Sequence, residues 1–320
     1  MQTSGSTGEP REVLLSGSAL LASVTATHEA LGGGGQWLLC VPETRVAGAM
    51  VLARSQLAGT EPVRIAPGPF TAEAFADAVA ALEPGTRHYV SLVPTQLMRI
   101  VDSARGMDAL GQLDAALVGG AALPGNSPPP PVIATYGASE TCGGCVYDGR
   151  PLAGVDVRLV DGVIHLAGPM LAEGYADGED SRFVEEAGRR WFVTSDAGEF
   201  DGDGRLRVIG RVDDVINSGG LKLHPAPIEA AVRVLPWVAD AVAVGVPDAQ
   251  WGERVVVVVA GRPGITMPPW DEVRRELAVG LEAAAVPKGC VIVDALPRLS
   301  SGKIDRARVR SLAKESDANR

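Results

Sequence analysis

Basic charge is scarce in this sequence, and so are long apolar runs and cysteine. Lys and Arg number 29 against 39 Asp and Glu, a formal net charge of -10. That balance argues against a nucleic-acid surface, and no basic run contradicts it. The longest purely aliphatic stretch, Val255 to Ala260, is far too short to span a bilayer. The start, MQTSGSTGEP, lacks the charged opening and apolar core of a signal peptide. A cytoplasmic protein without a membrane partner is the default reading. Four cysteines suit a reduced compartment. Cys142 and Cys145 have the spacing of a redox or zinc half-site, but a zinc site would need a second pair, and Cys40 and Cys290 stand alone in apolar segments.

What is present is length and alternation. The 320 residues suffice for two domains. Helical spacing over 16–31, 46–58 and 71–82 alternates with strand-like runs over 36–41, 63–66, 88–93 and 115–118. This predicts an α/β fold with a parallel or mixed sheet and crossover helices. Pro94 sits where a strand enters a helix, with Gln96 and Arg99 on one face of it. Antiparallel strands are expected over 154–166 and 190–193, and the Asp-Gly chemistry of GDGRLRVIGR predicts a hairpin. Beyond Asp213 the pattern becomes a compact α+β module: helices over 225–235, 270–284 and 306–313, strands over 239–246, 254–260 and 291–293.

Several stretches carry candidate chemistry, each with a plain alternative. Thr3, Ser4, Gly5, Ser6, Thr7 and Gly8 precede Pro10 and Arg11, a Gly and hydroxyl alternation that can wrap an anion or simply be a loose start. Arg45, in VPETRVAG, suits a substrate carboxylate or a solvated loop. Gly119 and Gly120 admit a flat ring close to the backbone, or only make a turn. YGASET, 136–141, ends a strand with an aromatic, a glycine and a carboxylate. Asp196 is a turn carboxylate, and Lys303 lies in a Ser/Gly loop before the last helix.

Taken together, TSGSTGEPR, YGASET, the TSDAGEFDGDGRLRVIGR block and LSSGKIDR resemble, in order, the motifs of the adenylate-forming superfamily of acyl-CoA ligases, adenylation domains and luciferases. The resemblance implies that residues 3 to 8 hold the β- and γ-phosphates of ATP, with Arg11 in place of the usual Lys. It implies that Tyr136 stacks on adenine, that Glu140 holds Mg²⁺ and that Thr141 lies near the α-phosphate. It further implies that Asp196 grips the ribose with help from Arg211 and that Lys303 bridges the carboxylate substrate and the α-phosphate. Arg45 replaces a common His of the acyl pocket; Arg45, Arg99, Gly119 and Gly120 are the substrate candidates. The implied layout is a large domain over 1–212 and a small mobile domain over 213–320, hinged at Asp213.

GQWLLCVP, SQLAGTEPV, LVPTQL, LVGGAALP and YGASETCGGCVYDGRPLAGV further resemble the short actinobacterial type of o-succinylbenzoate–CoA ligase of menaquinone biosynthesis. The implied partners are a small-molecule carboxylate, ATP and CoA. Another aryl or acyl carboxylate, or a degenerate adenylate binder without turnover, are the rival readings. Members of the family carry a further amino-terminal region before the phosphate loop, here at residue 3. The expectation is a large domain lacking its usual first part, with exposed sheet edge and poor solubility or a homo-oligomer as the result.

Overall fold

The computed structural model describes residues 1, 11–121, 123, 129–299 and 304–318. It divides into two compact units, Met1–Thr194 with Phe200–Arg207, and Ser195–Glu199 with Val208–Arg320.

The first unit begins with β1 (Val13–Leu14) and α1 (Gly17–Ala30), whose amino end is capped by Ser16 Oγ accepting from Ala19 N at 3.2 Å. Then come β2 (Gln36–Leu39), α2 (Val46–Ala58), β3 (Val63–Arg64), α3 (Ala72–Ala80), β4 (His88–Leu92), α4 (Pro94–Val101), α5 (Ala104–Leu110) and β5 (Ala115–Val118). The chain continues through β6 (Val132–Ala138), β7 (Gly143–Tyr147) and β8 (Arg150–Pro151). Among the described residues these strands form one sheet in the order β3-β2-β4-β5-β6-β7-β8, parallel from β3 to β6 and antiparallel from there. The alternation therefore does build a mixed sheet with helical crossovers.

Neighbouring side chains of a strand point to opposite faces, and both faces of this sheet are covered. Trp37, Leu39, Tyr89 and Leu117 join one core with Ile164 and Leu166. Leu38, Val90, Leu92, Ala116 and Val118 join another with Phe75, Ile100 and Leu110. Each large side chain so buried contributes about 1.5–3 kcal/mol. The strand expected over 63–66 is observed only as Val63–Arg64, and α5, capped by Ser103, has too few residues to show a period.

Downstream lie β9 (Asp156–Val160), β10 (Val163–Ala167), β11 (Gly174–Tyr175), β12 (Phe183–Glu186), β13 (Arg189–Phe200) and β14 (Leu206–Arg211). They make a sheet β12-β13-β10-β9 with β14 on β13, while β11 pairs antiparallel with β1. The expected Asp-Gly hairpin joins β13 to β14: Asp201 Oδ1 accepts from Asp203 N and Arg205 N, and Gly204 takes φ +71°.

The second unit adds β15 (Ile216–Ser218), β16 (Leu221–Leu223), α6 (Pro225–Arg233), β17 (Val238–Asp248), β18 (Gly252–Gly261), α7 (Trp270–Gly280), β19 (Gly289–Val293) and α8 (Arg306–Ala318). Its sheet runs β16-β15-β18-β17, with β19 parallel on β18. The run Val255–Val259 is buried on both sides. Val255, Val257 and Val259 pack with Ile228, Val232, Val273 and Leu277, and Val256 and Val258 with Val309 and Ala313. α7 stops at Gly280, short of the 284 expected, because Gly is a poor helix former. No helix of the described residues is long and apolar enough to cross a membrane.

Candidate active site

In the first unit the candidate residues gather where β6 turns into β7. Tyr136 lies on β6, and Ser139–Thr141 form a short 3₁₀ turn. Gly137 is obligatory there, since a Cβ would stand 2.1 Å from Gly143 O. The Thr141 hydroxyl is used by the turn itself, accepting from Ala138 N at 2.9 Å and donating to Gly143 O at 2.7 Å. Glu140 is buried, at 8% exposure, and its Oε1 accepts a 2.7 Å hydrogen bond from the Tyr175 phenol. Among the described residues Oε2 has no hydrogen-bond partner. Gly119 is small for a neighbouring strand, not visibly for a ring: a Cβ would lie 2.4 Å from Thr135 Oγ1. Gly120 takes φ +84° with open space on its Cβ side.

Arg11 belongs to the same corner. Its Nε and Nη2 fork the Asp177 carboxylate at 2.9 and 2.7 Å, Nη2 also donates to Glu179 O at 2.7 Å, and its Cζ stands 3.6 Å from the Tyr175 ring centroid. The hydrogen bond to Asp177 raises the arginine pKa, and the same bond lowers that of Asp177. Burial, then the bond to Glu140, push the Tyr175 phenol up, so it is a donor throughout the physiological range.

Of the acyl-pocket candidates, Arg45 is the residue at the start of α2 and is half-buried. Arg99 on α4 donates to Phe70 O at 2.9 Å, pinning the loop before α3. Gln96 accepts from Val93 N and donates to Cys40 O, so it caps α4 and ties it to the end of β2. The two arginines belong to separate helices, Arg45 as the capping residue before α2 and Arg99 within α4.

In the second unit Arg211, at the end of β14, stands 3.8 Å from Asp196 and 3.1 Å from Asp213. Three predicted residues thus meet around one guanidinium. Thr3, Ser4, Gly5, Ser6, Thr7, Gly8 and Lys303 lie outside the described residues.

Tyr175 and Asp177 escaped the sequence reading. The available signal was GYADGED, 174–180, in which Gly174 is required because a Cβ would stand 2.4 Å from Asp180 Oδ1. Cys142 and Cys145 are buried, and desolvation pushes both thiols up to about 12, which leaves them protonated and unreactive near neutral pH. Among the described residues no group of three or more His, Cys, Asp or Glu could hold a metal. The donor on offer is the single carboxylate of Glu140. It fits Mg²⁺ shared with phosphate oxygens, the usual mode for that ion, better than a protein cage.

A family model described as AMP-binding enzyme matches residues 1–176, and one described as AMP-binding enzyme C-terminal domain matches residues 227–303. The chain belongs to the AMP-binding enzyme family. This AMP-binding enzyme is 41% identical over 330 residues to the "Probable 2-succinylbenzoate–CoA ligase" of Mycobacterium tuberculosis, covering 98% of this chain and 84% of the relative. Its fold matches the o-succinylbenzoate CoA synthetase of Bacillus subtilis solved with its acyl-adenylate intermediate. The TM-score is 0.83 and the identity 24%, over 97% of this chain and 68% of that one. The same Bacillus enzyme with ATP and magnesium ion gives a TM-score of 0.81 at 23% identity, over 96% and 68%. The structural likenesses speak to fold alone.

Proposed function

We propose that this chain is an ATP-dependent acid–thiol ligase that converts o-succinylbenzoate to its CoA thioester in the cytoplasm. The observation that carries the reading is the 41% identity to the mycobacterial relative across nearly the whole chain. A carboxylate oxygen of the acid attacks the α-phosphorus of ATP, the bond to pyrophosphate breaks, and an acyl-adenylate forms. The CoA thiolate then attacks the acyl carbon and AMP leaves.

Phosphoryl chemistry of this kind rests on positioning and on stabilising negative charge. In the proposed assignment residues 3 to 8 wrap the β- and γ-phosphates and Arg11 supplies their counter-charge. Glu140 holds Mg²⁺, which when bound neutralises phosphate charge. Tyr136 packs on adenine, Asp196 accepts from the ribose hydroxyls beside Arg211, and Lys303 joins the acid's carboxylate to the α-phosphate. Thr141 has its hydroxyl committed to its own turn, so its contribution is to keep Glu140 in place. Arg99, held by Phe70 O, shapes the pocket wall, and Arg45 is the candidate for the second carboxylate of the substrate. Asp213, beside Arg211, is the proposed hinge for moving Lys303 away before the thiol step.

The test is pyrophosphate release with ATP, Mg²⁺ and o-succinylbenzoate, with and without CoA, on the protein and on Lys303→Ala. Release that needs the acid and collapses in the variant is expected. ATP binding without release would turn the assignment to a different acid, found with a carboxylate panel, or to a binder without turnover.

A further inference from the structure

Glu140 is held by a strut whose parts come from three places in the sequence. Tyr175, at 4% exposure, donates to Glu140 Oε1 at 2.7 Å. Its own backbone is fixed on both sides: Tyr175 N donates to Asp180 Oδ1 at 2.8 Å, and Ala176 N to Glu12 O at 2.8 Å. The ring packs against the Arg11 guanidinium, 3.6 Å from its centroid, and against Phe183, whose ring centroid is 5.8 Å away in a tilted arrangement. Arg11 is locked in turn by its fork onto Asp177. A planar guanidinium can stack and fork at once; a lysine ammonium cannot. The backbone of Glu140 is held too, its carbonyl accepting from Ala172 N at 2.8 Å.

A buried carboxylate fixed through one oxygen by a single donor has its other oxygen left for another ligand. We propose that Tyr175 is a positioning residue for Glu140, committing Oε1 so that Oε2 is presented to the divalent cation, and that Arg11 with Asp177 braces the ring that does this. The inference rests on the ligase reading for the identity of the cation and its nucleotide. It also assigns a purpose to the arginine at position 11 that phosphate contact alone would not require. Partners that orient metal ligands from behind change metal affinity by about 10–100-fold when removed.

The test is Tyr175→Phe, which removes the phenol oxygen and leaves the ring stacked. Binding of Mn²⁺ to the protein with a non-hydrolysable ATP analogue is followed by electron paramagnetic resonance, and the Mg²⁺ midpoint of pyrophosphate release is measured alongside. The expected result is a rise of about 10-fold or more in the metal dissociation constant and in the Mg²⁺ midpoint, with the rate at saturating Mg²⁺ kept within about threefold. Asp177→Asn, which loosens the brace but not the phenol, is expected to shift the same midpoint by a smaller factor, and to add little on top of Tyr175→Phe. An unchanged metal dissociation constant in Tyr175→Phe overturns the proposal, as does a lowered saturating rate with an unmoved midpoint. If Tyr175→Phe does not fold, an unmoved Mn²⁺ constant in Asp177→Asn overturns it. Failure of the ligase reading is seen separately, as an absence of acid-dependent pyrophosphate release from the unaltered protein, while the Mn²⁺ arm still decides the strut.

Discussion

Two buried glutamates, one in each unit, are held in opposite ways. Glu140 meets one neutral phenol and has an oxygen without a described partner. Glu229 on α6, at 4% exposure, is saturated: Oε1 accepts from Ala243 N and from Arg306 Nη2 at 2.7 Å, and Oε2 from Arg233 Nη2 at 3.1 Å. Its arginines go on to Asp214, Asp240 and the carbonyls of Ala241 and Ala243. A carboxylate closed on every side by cations and an amide is a fastener for α6, β17 and α8. A carboxylate braced from one side only is suited to hold something else.

The contrast can be broken by experiment. The largest effect is expected from Glu229→Ala, which strands Arg306 and Arg233 without their shared anion. Both guanidiniums retain about a third of their exposure, so the loss belongs at the low end of the buried-pair range, about 3 kcal/mol by urea unfolding. A loss under about 1 kcal/mol would make Glu229 no fastener at all. Next, Glu140→Gln keeps the Tyr175 hydrogen bond but removes the charge. Stability should stay within about 1 kcal/mol while the Mg²⁺ requirement of pyrophosphate release rises at least about 10-fold. An unmoved Mg²⁺ requirement would remove Glu140 from the site. Smaller again, Ser16→Ala deletes the cap of α1 and should cost about 1 kcal/mol, read as a lowered Tm without a change in Mg²⁺ dependence. The smallest stability change is expected from Arg211→Ala. Its partners Asp196 and Asp213 are one-quarter to one-half exposed, so the folded state should lose under about 1 kcal/mol. ATP affinity, measured by calorimetry on that variant, should fall several-fold; equal affinity would separate the Asp196 cluster from nucleotide binding.

Much of the architecture was legible because it depends on local pattern. Short apolar runs such as Ala115–Val118 and Val255–Val259 read as buried strands, and Pro94 and Pro225 mark helix starts that the structure keeps. YGASET was legible as a turn bearing a carboxylate because Gly137 and the hydroxyl of Thr141 build that turn among neighbours in sequence. What joins distant segments was not legible. Tyr175 reaches Glu140 across 35 positions, Arg11 reaches Asp177 across 166, and Arg306 reaches Glu229 across 77. No periodicity encodes such pairs. Arg99 shows the converse: helical spacing placed it beside Gln96, yet its guanidinium is taken by the carbonyl of Phe70, a loop residue 29 positions earlier.

The valines of β18 carry a liability as well as a core. Five consecutive β-branched residues without charge, Pro or Gly are the composition of cross-β fibrils once they lose their covering helices. Glu253 and Arg254 before the run, and Arg262 after it, are placed as gatekeepers against that outcome. Heating that opens the second unit should therefore end in precipitation and not in a reversible melt, with β18 as the seed. A ten-residue peptide spanning Gly252–Gly261 tests this directly: it should raise thioflavin fluorescence on standing, and the same peptide with Val257→Pro should stay dark.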